Sequence, residues 1–217
     1  MTNSRNNIAK ILAILEKNYP NPATELNFET PWQLLVAAVL SAQSTDKQVN
    51  KVTKHLFAKY PAPGDMAVVS PEQLAEDIKI LGLYRTKSKY LVAAARKICK
   101  DYGGKVPQTR AELESLPGVG RKTAGVILAN AFGIPALAVD IHVFRVANRL
   151  GLAQAKTPAE TEKQLTETIP QEKWAVTHHR LILHGRYTCK ARRPECRSCA
   201  LSPYCSYYDK QYRQATS

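Results

Sequence analysis

The sequence has no uninterrupted apolar run of about 18 residues or more, the length a membrane-spanning helix needs. Its first apolar stretch is broken by Lys10, Glu16 and Lys17 and lacks the form of a signal peptide. The expectation is an intracellular, cytoplasmic protein with no membrane partner. Asn-Gly and Asp-Gly turns are missing, and no sustained apolar–polar alternation occurs, so hairpin-built sheets are excluded and an all-α chain of about ten helices is expected. There is no internal repeat and no low-complexity linker. Acid is scarce: 18 Asp and Glu face 31 Lys and Arg, a formal net charge of +13. Such a balance makes a polyanion the natural partner, although basic chains also attract membranes and acidic proteins. Cysteine is sparse as well, with five in the chain and four of them within residues 189–205. In an intracellular protein that crowding points to metal ligation sooner than to disulfides.

What is present is 217 residues, 44% of them hydrophobic, enough for one large domain or two small ones that fold alone as a monomer. Apolar spacing and cap chemistry mark the helices. Ile8, Ile11, Leu12 and Leu15 share a face over residues 5–18, and Thr30-Pro31-Trp32 opens an apolar helix through Leu40. The polar interruption Ser41-Ala42-Gln43-Ser44-Thr45-Asp46 reads locally as a capped turn. A helix carrying Val49, Val52, Leu56 and Phe57 runs to the Pro61-Ala62-Pro63-Gly64 break; Ser70-Pro71-Glu72 starts another that ends near Gly82. Leu83, a core residue on local grounds, precedes a long helix from about Thr86 to Lys100 in which Cys99 is a small buried hydrophobe. Thr109 with Glu112, and Thr157-Pro158-Ala159-Glu160, are capping boxes. Trp174, Ala175, His178, Leu181 and Ile182 stripe a last long helix.

The stretch LPGVGRKTAGVILANAFGIPALAVDIHVFRVANRLGL concentrates turn chemistry and candidate catalytic groups. Gly118 and Gly120 can take backbone angles closed to other residues and leave amides bare enough to grip a phosphate, at the start of a helix whose dipole favours anions. A nucleotide-binding P-loop is excluded, because Arg121 separates glycine from Lys122-Thr123 and no strand precedes the turn. Lys122 sits in the first helical turn beside Arg121, where the dipole and a like charge both disfavour its ammonium form. It is therefore either a nucleophile or a solvated phosphate contact. Asp140 is placed to cap the helix carrying Ile141, Val143, Phe144 and Val146, and caps outnumber catalytic aspartates. The segment Val139 to Val146 could be a strand, but no strand partner lies nearby.

These runs resemble the helix-hairpin-helix family of DNA glycosylases, in the branch that carries a lysine in the hairpin, and the likeness extends over nearly the whole chain. The resemblance implies an all-α glycosylase fold of two helical domains flanking a cleft. Residues 24–134 would form a six-helix domain containing the hairpin at about 109–131, and residues 1–23 plus 135–217 would form an iron–sulfur cluster domain. It further implies base-excision repair of oxidised or ring-damaged pyrimidines in duplex DNA, with β-elimination at abasic sites. Lys122 would be the Schiff-base nucleophile and Asp140 the essential carboxylate, facing each other across the cleft. Gln43, in the SAQ…TD loop, and Leu83 would be wedges filling the gap left by an extruded nucleotide. Gly118, Val119, Gly120 and Arg121 would hold the DNA backbone.

Cys189, Cys196, Cys199 and Cys205 are separated by six, two and five residues. Local chemistry leaves zinc and an iron–sulfur cluster equally open, since only Cys196 and Cys199 have knuckle spacing. Similarity to the family implies a [4Fe-4S] cluster, structural in role. The basic run Lys190, Arg192 and Arg193 between the first two ligands becomes a candidate phosphate contact. His142 and His184 lie near the proposed site with no role assigned. Two alternatives remain: a glycosylase of this fold that only hydrolyses the glycosidic bond, and a non-catalytic DNA binder with a structural metal.

Overall fold

The computed structural model describes residues 5–213, and among them there are helices and turns but no strand. The chain divides into two compact units, Thr24–Ile134 and Met1–Ala23 with Pro135–Ser217, of which residues 1–4 and 214–217 lie outside the described part.

The unit Thr24–Ile134 holds α2 (Pro31–Leu40), α3 (Asp46–Lys59), α4 (Pro63–Ala67), α5 (Pro71–Asp77), α6 (Tyr84–Asp101), α7 (Arg110–Glu114) and α8 (Arg121–Ala131). Seven α-helical segments stand where six were expected. The addition is the five-residue α4, because Pro63 at its first position starts a turn of helix where the Pro-Gly run suggested only a break. Helix α2 is apolar all round, with Trp32 and every residue from Leu34 to Leu40 buried, so it serves as the central element. Around it pack α3, α6 and α8. Thr30 caps α2 by accepting from the Gln33 N–H, while Thr45 with Gln48 and Ser70 with Gln73 form complete capping boxes. Thr109 accepts from the Glu112 N–H, but its own hydroxyl bonds the Glu112 carboxylate at 2.6 Å, so that pair is a cap without the reciprocal backbone bond. Helix α5 stops at Asp77 rather than near Gly82, since Ile78 leaves helical angles and Leu81 turns back onto the Ile78 carbonyl. Cys99 is only half-buried.

The other unit joins α1 (Arg5–Asn18) to α9 (Ile141–Leu150), α10 (Pro158–Thr168) and α11 (Trp174–Tyr187), followed by the cysteine-bearing segment. Ile11 and Leu15 of α1 meet Val143, Val146 and Ala147 of α9, Leu165 of α10 and Leu181 of α11 in one core. The stretch over Val139–Val146 is an extended lead-in followed by helix, not a strand. Helix α11 departs from the expected apolar stripe: Thr177, His178, His179, Arg180 and His184 are all buried. Partners make that possible. Arg180 reaches Glu16 at 3.0 Å and the Tyr19 carbonyl, and His178 Nδ1 bonds the Ala138 carbonyl at 2.7 Å.

Candidate active site and cysteine pocket

The hairpin lies between α7 and α8. Leu113 and Leu116 are buried beneath it, and the Val119 N–H closes the turn onto the Leu116 carbonyl at 3.1 Å. Val119 is itself buried, and its side chain packs into the hairpin. The two glycines are not equivalent. Gly118 has φ +80° and packs so closely on Tyr90 of α6 that an added Cβ would lie 2.8 Å from the Tyr90 Cβ. Gly120 is ordinary extended backbone with open space around it, and it caps α8 without a side chain in the way. The N–H groups of both meet no acceptor among the described residues. Arg121 and Lys122 follow in the first turn of α8, both exposed, and Lys122 makes no ion pair with a described residue.

Asp140 is the N-cap of α9. One carboxylate oxygen, Oδ1, accepts from the backbone N–H groups of His142 and Val143, each at 2.8 Å. The other takes no hydrogen bond from the described residues. The bland reading of Asp140 as a cap is therefore correct as far as it goes, and it leaves half of the carboxylate for chemistry. His142 stands beside it, and Arg145 donates to its Nδ1 at 3.2 Å. Burial pushes the His142 pKa below the ordinary imidazole value, against the opposite pull of Asp140.

Gln43 and Leu83 are both exposed, which excludes the core reading of Leu83. Both occupy the left-handed backbone region, at φ 53° and 58°, which side chains adopt only under constraint. Their turns touch: an added Cβ on Gly82 would sit 3.1 Å from the Gln43 carbonyl oxygen.

Cys189, Cys196, Cys199 and Cys205 line one small pocket together with Leu150, His184, Thr188 and Tyr207. None forms a disulfide, and no group of three His, Cys, Asp or Glu side chains that could hold a single ion is found among the described residues. Burial pushes the thiols of Cys196 and Cys199 up and that of Cys205 to about 11. A cationic centre held by these sulfurs would favour their thiolate form instead. Four free thiols lining one pocket are the donor set such a centre needs.

Two arginines near this pocket were not singled out from the sequence. Arg145 donates to the Gly185 and Cys189 carbonyls, and Arg149 donates to the carbonyls of Lys190 and Ala191 while lying 4.6 Å over the Tyr207 ring. The only signal for them was helical spacing from Asp140, which does not reveal contacts some 40 residues away in the chain. Lys190 pairs with Glu195 at 2.6 Å, while Arg192 and Arg193 are exposed, Arg193 at φ 51°.

Residues 36–171 match the model of the HhH-GPD superfamily of base excision DNA repair proteins, and the chain belongs to that superfamily. Within it the chain belongs to the endonuclease III family, enzymes that act as DNA glycosylase and abasic-site lyase. It is 52% identical to endonuclease III of Bacillus subtilis over 188 residues, 86% of each chain. It is 46% identical to that of Escherichia coli over 201 residues, 93% of this chain and 95% of the other. The structure of a trapped endonuclease III–DNA covalent intermediate superposes with a TM-score of 0.92 at 47% identity, covering 95% of this chain and 98% of that one. No helix among the described residues is long and apolar enough to cross a membrane.

Proposed function

We propose that this chain removes oxidised or ring-damaged pyrimidines from duplex DNA in the cytoplasm, as a monomer, and then opens the strand through a lysine Schiff base. Extruding the nucleotide costs on the order of a few kcal/mol, less for a damaged base that stacks and pairs poorly. Gln43 and Leu83 enter the gap it leaves. The bare amides of Gly118 and Gly120, with Arg121, hold a backbone phosphate at the start of α8. Lys122 Nζ attacks the sugar C1′, the C1′–N bond breaks and the base leaves with its electron pair. Asp140, anchored through Oδ1, uses its other oxygen to stabilise the positive sugar and to accept a proton from the incoming amine. The sugar ring then opens as the C1′–O4′ bond breaks and O4′ takes up a proton, leaving an iminium that acidifies C2′; loss of that proton breaks the C3′–O bond and expels the 3′ phosphate, and water then frees Lys122.

The single observation that carries this reading is an exposed amine at a helix start framed by unpaired amides, in a chain whose Asp140 keeps one carboxylate oxygen uncommitted. A relative captured as a covalent DNA intermediate supports it. Borohydride reduction of the protein with a duplex carrying an abasic site should give a trapped adduct with wild type and none with Lys122→Gln. Absence of an adduct with wild type supports the hydrolytic alternative instead, and absence of any turnover of damaged duplex supports the binding protein.

Cys189, Cys196, Cys199 and Cys205 would hold a [4Fe-4S] cluster, with zinc as the competing occupant. When bound it supplies four metal–thiolate bonds that fold a segment too short to bury a core of its own. Arg192 and Arg193, and more weakly the paired Lys190, would contact phosphates from the loop so tied.

A further inference from the structure

Lys87 is 3% exposed, a degree of burial that lysines rarely reach without a carboxylate partner. No such partner is present among the described residues. Instead its Nζ donates to the Leu40 carbonyl at 2.7 Å and to the Ser44 hydroxyl at 3.0 Å. Leu40 ends α2, so its carbonyl is one of the orphan acceptors at the negative end of a helix. The two acceptors bracket Gln43 on either side of its turn. On the backbone, the Lys87 N–H donates to the Leu83 carbonyl at 2.9 Å. That bond is the first of α6, and it is the Lys87 side chain that ties the Gln43 turn to the helix beginning at Leu83, while Gly82 lets the two strained turns meet by having no Cβ to strike the Gln43 carbonyl. Burial lowers the Lys87 pKa, as expected for a cation compensated only by neutral oxygens.

We propose that Lys87 is a positioning residue for duplex entry: its buried side chain locks the Gln43 turn against the Leu83 turn, so that both wedge side chains are preformed before DNA arrives. The inference rests on the wedge reading of Gln43 and Leu83. Preformed wedges lower the ordering required on binding, and their benefit falls only on substrates that must be opened.

The test compares two substrates under single-turnover conditions. One is a duplex carrying one thymine glycol; the other is single-stranded DNA with an abasic site, read by borohydride trapping, where nothing needs to be extruded. Lys87→Met should slow excision from the duplex by about tenfold or more, the scale of one charge-assisted hydrogen bond, and leave trapping on the single strand unchanged. Equal losses on both substrates would overturn the proposal, since they would mean a merely structural lysine. So would an unaltered duplex rate alongside losses in Gln43→Ala and Leu83→Ala. If those two controls keep the wild-type duplex rate, the wedge reading itself fails, and the role given to Lys87 falls with it. Should Lys87→Met fail to fold, Gly82→Ala provides the same comparison: its Cβ, 3.1 Å from the Gln43 carbonyl, presses the turns apart and should give the same duplex-selective loss.

Discussion

Asp140 caps α9, and the proposed function gives the same side chain a second, catalytic role; substitution can separate the two. Its Oδ1 accepts two backbone N–H groups at 2.8 Å, the work of a helix cap, whereas the chemistry assigned to it needs the charge and the second oxygen. Asparagine is as good a cap as aspartate, so Asp140→Asn keeps both bonds and loses only charge–dipole attraction, about 0.3–1 kcal/mol. Alanine removes the cap, at about 0.5–2 kcal/mol. For a chain of this size that lowers Tm by about 1–8 °C. Activity should follow a different order: both variants lose base excision by about 10²–10⁴-fold, because both lose the charge. Thermal unfolding and single-turnover excision of a damaged duplex, measured on the same preparations, give the two scales independently. If Asp140→Asn excises at the wild-type rate while Asp140→Ala is slow and unstable, Asp140 is only a cap and the carboxylate chemistry must be abandoned.

Gly118→Ala should destabilise the protein by about 1–3 kcal/mol in a denaturant titration, since it meets both a left-handed backbone and the Tyr90 Cβ. Tyr90→Ala should not rescue it, because the obstructing atom is retained; Gly120→Ala, with open space and ordinary φ, should cost less than about 1 kcal/mol. Burial lowers the His179 pKa below its ordinary 6.5, so the unfolded chain binds that proton more readily. The corresponding stability is present above pH 6.5 and lost as the pH falls below it; His179→Gln should flatten the slope of unfolding free energy between pH 7 and 5. Elemental analysis of protein purified without oxygen should give about four irons and four sulfides per chain, and about one zinc would assign the pocket to the competing ion.

Features that act within one helical turn were legible in the residue order. Thr30, Ser70, Thr157 and Asp140 cap the helices that follow them, because a side-chain oxygen reaches N–H groups two or three residues ahead whatever the tertiary context. The hairpin, the lysine and the spacing of the four cysteines were readable for the same reason, as patterns over short stretches. Residue type alone, however, gave Gly118 and Gly120 the same role. Packing separated them, since Tyr90 comes from another helix and crowds only the first. The α11 stripe missed Thr177, His179 and Arg180, whose burial depends on partners that hydropathy does not describe. Lys87 is the plainest case: a lysine by composition is a surface charge, and only the arrival of Leu40 and Ser44, more than forty residues earlier in the chain, makes it an internal tie. Local chemistry chose the helices and their ends; long-range contact decided which polar groups left water, because the cost of desolvating them is met only where the fold brings an acceptor.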